Sequence, residues 1–130
     1  MQAVEYGVGR DLTESYDTVL PRVLEALKAE GFGVITEIDV QKTMKEKLGV
    51  DGRPHVILGA CNPKLAHEAL GVEDDLGLLL PCNVVVYEKG EGSRVAVINA
   101  GAMMGMVGNE RLAPIADQVQ ARLDRVLASL

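Results

Sequence analysis

Aromatic side chains are the scarcest class in this sequence. Among 130 residues there are three tyrosines, one phenylalanine and no tryptophan, so aromatics make up 3% of the chain. Proteins that hold single-stranded nucleic acid stack its bases on aromatic rings, which are nearly missing here. Basic residues are also in the minority, with 13 Lys and Arg against 19 Asp and Glu and a net charge of −6. Because nucleic-acid affinity depends on cationic contacts to phosphate, we expect no nucleic acid among the partners.

Long hydrophobic runs and cysteine-rich patterns are absent as well. No apolar run reaches the roughly 18 residues of a membrane-spanning helix, so we expect no membrane partner. The segment Met1–Arg10 has neither a basic start nor a hydrophobic core, which argues against a secretory signal and predicts a cytoplasmic protein. The two cysteines, Cys61 and Cys82, are too few for a disulfide framework. The length and the uninterrupted composition predict one domain over residues 1–130.

The periodicity of the apolar residues predicts the element order β-α-β-α-β-α-β-β-α. Alternating or continuous apolar runs predict five strands, at Ala3–Val8, Phe32–Ile38, Pro54–Cys61, Asn83–Tyr87 and Arg94–Asn99. The turn between the last two strands makes at least one pair antiparallel. We therefore predict an α+β fold in two layers, with a mixed or antiparallel sheet of about five strands and helices mainly on one face.

Turn and capping residues predict where the helices begin and end. Asp11 with Glu14 predicts the start of the first helix, and Pro21 predicts a kink or break inside it. Asp39 and Gly49 bound a second helix, while Asn62 followed by Pro63 opens a third. The last helix is predicted over about residues 109–128, after a loop rich in glycine and methionine at 101–108.

Three sequence segments carry a resemblance to a known family. They are Met44–Gly49, Ile57–Ala66 and Gly77–Tyr87, which read MKEKLG, ILGACNPKLA and GLLLPCNVVVY. With them the chain resembles the bacterial and archaeal family catalogued as domain of unknown function 302, over almost its whole length. The resemblance implies a small α+β domain that forms a homodimer. It implies no reaction and no catalytic residues.

The turn at Gly59–Pro63 is the first candidate site. Small residues end the third strand, and Asn62 then caps a helix whose N-terminus carries a partial positive charge. A ligand-binding set at this turn would comprise Gly59, Cys61 and Asn62. The loop at 101–108 would cover it with Met103 and Met104, whose soft side chains adapt to apolar surfaces. These methionines can equally be core or dimer contacts.

Arg111 lies near the predicted start of the last helix and could hold a carboxylate or phosphate there. The sequence contains no complete catalytic set, so no enzyme activity is predicted. The leading hypothesis is a non-catalytic, cytoplasmic dimer that binds a small ligand or a protein partner near Gly59–Pro63. A passive assembly module, with a large apolar dimer face and no pocket, is a further possibility.

Thiol chemistry at Cys61 and Cys82 is the alternative function. If the third and fourth strands are antiparallel neighbours, the end of one lies beside the start of the other, within reach of a disulfide or a shared ligand. Redox chemistry, sulfur carriage or soft-metal handling would follow. If the strands are parallel, the thiols lie apart. Buried cysteines are commonly inert, and this competing explanation makes both of them core residues.

Metal and nucleotide sites lack the residues they need. His55 and Cys61 are six residues apart on one strand, about 20 Å by the strand rise, so they cannot share an ion. Adding His67 still gives no zinc-module spacing, and no metal is predicted. Gly7-Val8-Gly9 lacks the third glycine of a dinucleotide turn, because Leu12 stands there. We therefore expect no cofactor.

Overall fold

The computed structural model describes all of residues 1–130 and contains six strands and five α-helices. The strands are β1 Gln2–Val4, β2 Gly7–Leu12, β3 Gly33–Asp39, β4 His55–Cys61, β5 Cys82–Lys89 and β6 Gly92–Ile98. The helices are α1 Tyr16–Ala29, α2 Val40–Leu48, α3 Pro63–Val72, α4 Ala100–Gly105 and α5 Ala113–Ala128. Short 3-10 segments at Asp74–Leu79 and Glu110–Leu112 precede β5 and α5.

The strands form one open sheet in the order β1-β2-β6-β5-β4-β3. Every neighbouring pair is antiparallel, which confirms the α+β class and fixes the sheet as wholly antiparallel. The sheet has six strands, one more than the predicted number. No helix is both long enough and apolar enough to cross a membrane.

One face of the sheet, here called the inner face, packs under helices. Alternate residues of β4, β5 and β6 are buried on it: Val56, Leu58, Ala60, Cys82, Val84, Val86, Val95 and Val97. Helices α1 and α5 cover these strands with apolar stripes at helical spacing: Val19, Val23, Leu27, Ile115, Val119, Leu123, Val126 and Leu127. The single core therefore lies between the inner face and this helical layer.

The predicted first strand, Ala3–Val8, is wrong in its extent. The chain turns at residues 5–6 and makes two strands, β1 and β2, paired through Val4 and Gly7. Neither turn residue is Gly, Pro, Asn or Asp, so the sequence contains no turn signal there. This hairpin supplies the sixth strand.

The predicted helix start at Asp11 is also wrong. Strand β2 continues to Leu12, which pairs with Ser93 of β6, and Asp11 instead forms ion pairs with Lys89 and Arg94, each at 2.8 Å. Ser15 is the true N-cap, because its hydroxyl oxygen accepts a hydrogen bond from the amide of Thr18 at 3.3 Å.

Pro21 does not break the first helix, so the predicted break is wrong. Helix α1 runs from Tyr16 to Ala29 with Pro21 exposed on its outer side. The carbonyl of Asp17 loses its usual donor there, but Asp17 is exposed and water can replace that donor. The buried stripe Val19, Val23 and Leu27 meanwhile holds the helix on the sheet.

The segment 101–108, predicted as a loop, begins as helix α4. Asn99 caps it by accepting a hydrogen bond from the amide of Ala102 at 2.9 Å. The amide of Ala100 donates to Oε1 of Gln120 on α5 at 2.7 Å. These bonds give the glycine-rich segment enough support to form a short helix.

Candidate functional site

An apolar cavity of about 300 Å³ lies at the end of the sheet where β4 leads into α3. Its walls come from β3, β4, α3, the chain before β5, α4 and α5. The lining residues are Phe32, Ile35, Ala60, Cys61, Asn62, Leu65, Ala66, Ala69, Leu70, Gly77, Leu80, Pro81, Cys82, Met104 and Val119. The volume lies at the lower end of the range of ligand pockets, about 300–1,000 Å³.

The cavity exists because small residues stand where large ones would fill the layer. Ala60 on the inner face lies opposite Ala66 and Ala69 of α3, and all three line the space. Ala69 is fully buried and Ala60 is 1% exposed, so these positions belong to the core and not to the surface. The space opens to the surface beside Ile35 and Leu70, which are 62% and 40% exposed, so a ligand can enter it from solvent.

No charged side chain lines the cavity, which sets its chemistry. Its polar groups are the side chain of Asn62 and the two thiols, and the remaining walls are aliphatic, aromatic or glycine. A charged ligand would lose its hydration without gaining an ionic partner. The arrangement suits a small, uncharged and largely apolar ligand.

Asn62 holds the turn at the edge of the cavity. Its Oδ1 accepts a hydrogen bond from the amide of Leu65 at 3.2 Å, and Pro63 occupies the first turn of α3, as the sequence predicts. Because that oxygen is already engaged, the Nδ2 group is the donor that Asn62 can offer a ligand.

Cys61 and Cys82 both line the cavity, and both are free thiols. Strands β4 and β5 are antiparallel neighbours, and Ala60 is the register partner of Cys82, so Cys61 is one residue further along. Cys61 is partly exposed, whereas Cys82 is 5% exposed. Burial, with a smaller contribution from Cys61, raises the pKa of the Cys82 thiol to about 11.

Cys82 is therefore a protonated thiol at neutral pH. A thiolate is the nucleophilic form of cysteine, so a high pKa makes Cys82 a poor nucleophile. The accessible thiol of the pair is Cys61.

The other residues proposed from the sequence lie in different places. Met104 lines the cavity, as the predicted cover would require, but Met103 is a buried core residue that does not line it. Gly59 and Arg111 do not line it either. Arg111 is exposed in the middle of the 3-10 segment Glu110–Leu112, before α5.

Gly59 has a packing role on β4. A Cβ atom at this position would clash with Oγ1 of Thr36 and would approach Cγ of Pro81 to 2.7 Å. Glycine lets the neighbouring strand and the chain before β5 lie close to β4. This close approach helps to place Pro81 beside the cavity.

The histidines do not join the cysteines. His55 packs near Tyr87, with ring centroids 5.2 Å apart, and Arg53 lies over the same tyrosine ring at 4.4 Å. Burial and the charge of Arg53 lower the pKa of His55. His67 is exposed on α3, and no three His, Cys, Asp or Glu side chains cluster closely enough to hold a metal ion.

Sequence reasoning missed most of the cavity wall. Phe32, Leu80 and Val119 come from three distant segments, and only the folded sheet brings them together. The apolar run Leu78-Leu79-Leu80-Pro81 was a partial signal, because its last two residues line the cavity whereas Leu78 is 87% exposed.

Fold and cavity together define an antiparallel α+β domain with an apolar cavity at the end of its sheet. A family model described as domain of unknown function DUF302 matches residues 8–130. The chain therefore belongs to the DUF302 family, which confirms the resemblance seen in its sequence. The crystal structure of the uncharacterized conserved protein DUF302 from Bacillus stearothermophilus is similar to this chain. The TM-score is 0.88 and the sequence identity 31%, over 96% of this chain and 98% of that chain. No curated protein matches.

Proposed function

We propose that this protein is a non-catalytic binding domain that takes a small, uncharged, apolar ligand into the cavity between β4, α3 and β5. The observation that carries the proposal is a space of about 300 Å³ whose lining residues are mostly apolar and include no charged side chain. The cavity borders the turn Gly59–Pro63 through Ala60, Cys61 and Asn62. A short aliphatic or single-ring molecule with one hydrogen-bond acceptor for Asn62 has the matching chemistry.

Titration of the reduced protein with 4-dimethylaminobenzonitrile, a neutral single-ring fluorescent probe with a nitrile acceptor, tests this proposal. We expect saturable binding with a blue-shifted emission. An aliphatic alcohol should displace the probe better than the carboxylate of the same chain length, because the cavity has no cation to pair with the carboxylate. Equal displacement by the carboxylate would contradict the assigned ligand class.

A filling variant locates the binding. Ala66 lines the cavity and is partly exposed on α3, so Ala66→Phe places a ring in the space without replacing a fully buried residue. We expect probe affinity to fall at least tenfold. Ala121→Phe is the matched control, since Ala121 is an exposed helical alanine on α5 outside the cavity. Equal affinities for the two variants would place the probe elsewhere.

Thiol chemistry is the competing function, in the form of redox chemistry, sulfur carriage or soft-metal handling by Cys61 and Cys82. Two free thiols on one cavity wall favour it, while the raised pKa of Cys82 weighs against a nucleophilic role for that residue. Alkylation of native protein across pH separates the two functions. Labelling of Cys61 faster than a free thiol at pH 6–7 would favour thiol chemistry.

We further propose that the protein is a homodimer assembled through the outer face of the sheet, opposite α1 and α5. A row of apolar residues crosses four strands there in register: Ile38, Ile57, Val85 and Ala96. In an antiparallel sheet with one face exposed to solvent, the residues on the exposed face are normally polar. At strand spacings of about 4.8 Å and a rise of about 3.4 Å per residue, the whole outer face of six strands spans roughly 600 Å². Two such faces together reach the lower limit of specific interfaces, about 1,200 Å².

Light scattering after gel filtration tests the dimer. We expect a mass of two 13.9 kDa chains for the wild type and of one chain for Val85→Glu, which puts a carboxylate in the middle of the row. Leu48→Glu is the control, because Leu48 is exposed on α2. A monomeric wild type would overturn the proposal.

The cytoplasm is the proposed location, because free thiols persist in a reducing compartment.

A further inference from the structure

The two cysteines occupy different depths of the same cavity wall. Cys61 is the last residue of β4 and is partly exposed, so a small reagent can reach its sulfur. Cys82 is the first residue of β5 and is 5% exposed. The wall therefore carries one accessible and one enclosed thiol.

The register of β4 and β5 brings the two residues within reach of a disulfide. Ala60 is paired with Cys82, so Cys61 lies one step along the neighbouring strand. Directly opposite residues have Cα atoms about 4.5–5.5 Å apart, and one strand step adds about 3.4 Å at right angles. The resulting Cα separation is roughly 6 Å, inside the usual disulfide range of about 4.4–6.8 Å.

Strand alternation alone would direct the two side chains to opposite faces of the sheet. Both residues nevertheless line the cavity, and Cys61 lies near enough to Cys82 to contribute to the raised pKa of its thiol. Bringing the sulfurs into a bond requires the turn from β4 into α3 to adjust, and the turn is also part of the cavity wall. A bond here cannot form without changing the shape of the cavity.

We propose that oxidation of Cys61 and Cys82 to an intramolecular disulfide closes the apolar cavity and that reduction reopens it. The inference rests on the proposed function, since it regulates the same site. Each thiol loses one proton and one electron as the S–S bond forms. The oxidant is a low-molecular-weight disulfide, which takes up the two electrons and two protons and leaves as two thiols.

Closure follows from the size of the cavity and the place of Cys61. Two sulfurs that are not bonded stand at least about 3.6 Å apart, and a disulfide draws them to about 2.05 Å. The movement pulls the Cys61–Asn62 turn toward β5, into a cavity that is already at the lower limit for a ligand pocket. We therefore expect the oxidised protein to exclude a ligand that the reduced protein accepts.

Oxidation followed by probe titration tests whether the disulfide closes the cavity. Wild-type protein is treated at low micromolar concentration with oxidised glutathione or diamide, and the product is analysed as the intact chain. We expect the mass of a single chain lighter by two hydrogens, with no disulfide between chains, a loss of both free thiols and a probe affinity at least tenfold weaker. Dithiothreitol should restore the original mass and affinity.

Two variants separate the disulfide from other oxidation. Cys61→Ser and Cys82→Ala each retain one thiol, so neither can form the bond, and their probe affinity should not respond to diamide. If reduced wild type binds the probe but oxidation leaves the affinity or both thiols unchanged, closure by the disulfide is contradicted and the ligand site is still supported. If the reduced protein does not bind the probe, both the ligand site and its closure are contradicted. Mass spectrometry of the thiols reads the disulfide independently of the probe.

Discussion

Two regions of the same core differ in how completely they are filled. Under α1 and α5, the space against the inner face is occupied by large aliphatic residues with no exposure, including Leu27, Leu123 and Val84. Under α3, the corresponding positions are Ala60, Ala66 and Ala69, and a cavity remains. Backbone and sheet are continuous through both regions. Side-chain size therefore decides which part of the layer stabilises the fold and which part can accept a ligand.

Truncation of one leucine in each region tests this difference most strongly. Leu123→Ala removes a fully buried side chain from the filled region, and we expect it to cost about 4–5 kcal/mol of unfolding free energy. Leu65→Ala removes a side chain that already borders empty space, and its cost should be about 2–3 kcal/mol because fewer contacts are lost. Urea denaturation measures both changes in unfolding free energy, provided that the variants have the same m value. Equal costs would contradict the contrast between a filled and an unfilled region.

Alkaline pH tests the burial of Cys82. Its pKa in the folded protein is about 11 against an ordinary value of 9.0, so the unfolded chain releases its proton first. Stability from this group is fully present below pH 9 and is lost as the pH rises towards 11, with a loss of about 2 kcal/mol near the upper end of that window.

Cys82→Ala isolates that contribution from the lysines and tyrosines that titrate in the same range. We expect the wild type to lose more stability than Cys82→Ala between pH 8 and pH 10.5, with Cys61→Ser behaving like the wild type. Parallel pH profiles for wild type and Cys82→Ala would show that Cys82 is not buried as a thiol.

Gly59→Ala tests the close approach that borders the cavity. The added methyl group would meet Thr36 and Pro81, so we expect a destabilisation of about 1–3 kcal/mol. Thr36→Ala in the same chain should recover part of the loss, because it removes the nearest obstructing atom. Gly71→Ala is the control, since a Cβ atom at Gly71 meets nothing within 4 Å. A neutral Gly59→Ala would remove the packing role assigned to this glycine.

Capping and turn residues made much of the fold predictable from the sequence. Asp39 and Gly49 bound α2 as expected: Oδ1 of Asp39 accepts from the amide of Lys42 at 2.9 Å, and Gly49 has φ 67°. Asn62 and Pro63 open α3 for the same reason. These signals depend on a few neighbouring residues, so a single sequence contains them.

The predictions that were wrong concern positions where contacts between distant parts of the chain outweigh the preference of neighbouring residues. Asp11 looks like a helix cap, but it pairs with Arg94 in the ladder between β2 and β6, and its carboxylate forms ion pairs with Lys89 and Arg94. The antiparallel pairing of β4 with β5 decides whether Cys61 and Cys82 meet, and periodicity cannot supply that pairing. The cavity likewise depends on segments separated by most of the chain.

A crystal of the reduced protein under xenon pressure measures the cavity most directly. Xenon occupies dry apolar cavities of sufficient size. We expect a xenon atom between Ala60, Ala69 and Leu80, and none in the filled region under α1 and α5. Density for xenon at that place would establish an open apolar site in the core. A core closed around Ala60 and Ala69, with no xenon between them, would contradict the proposed ligand site.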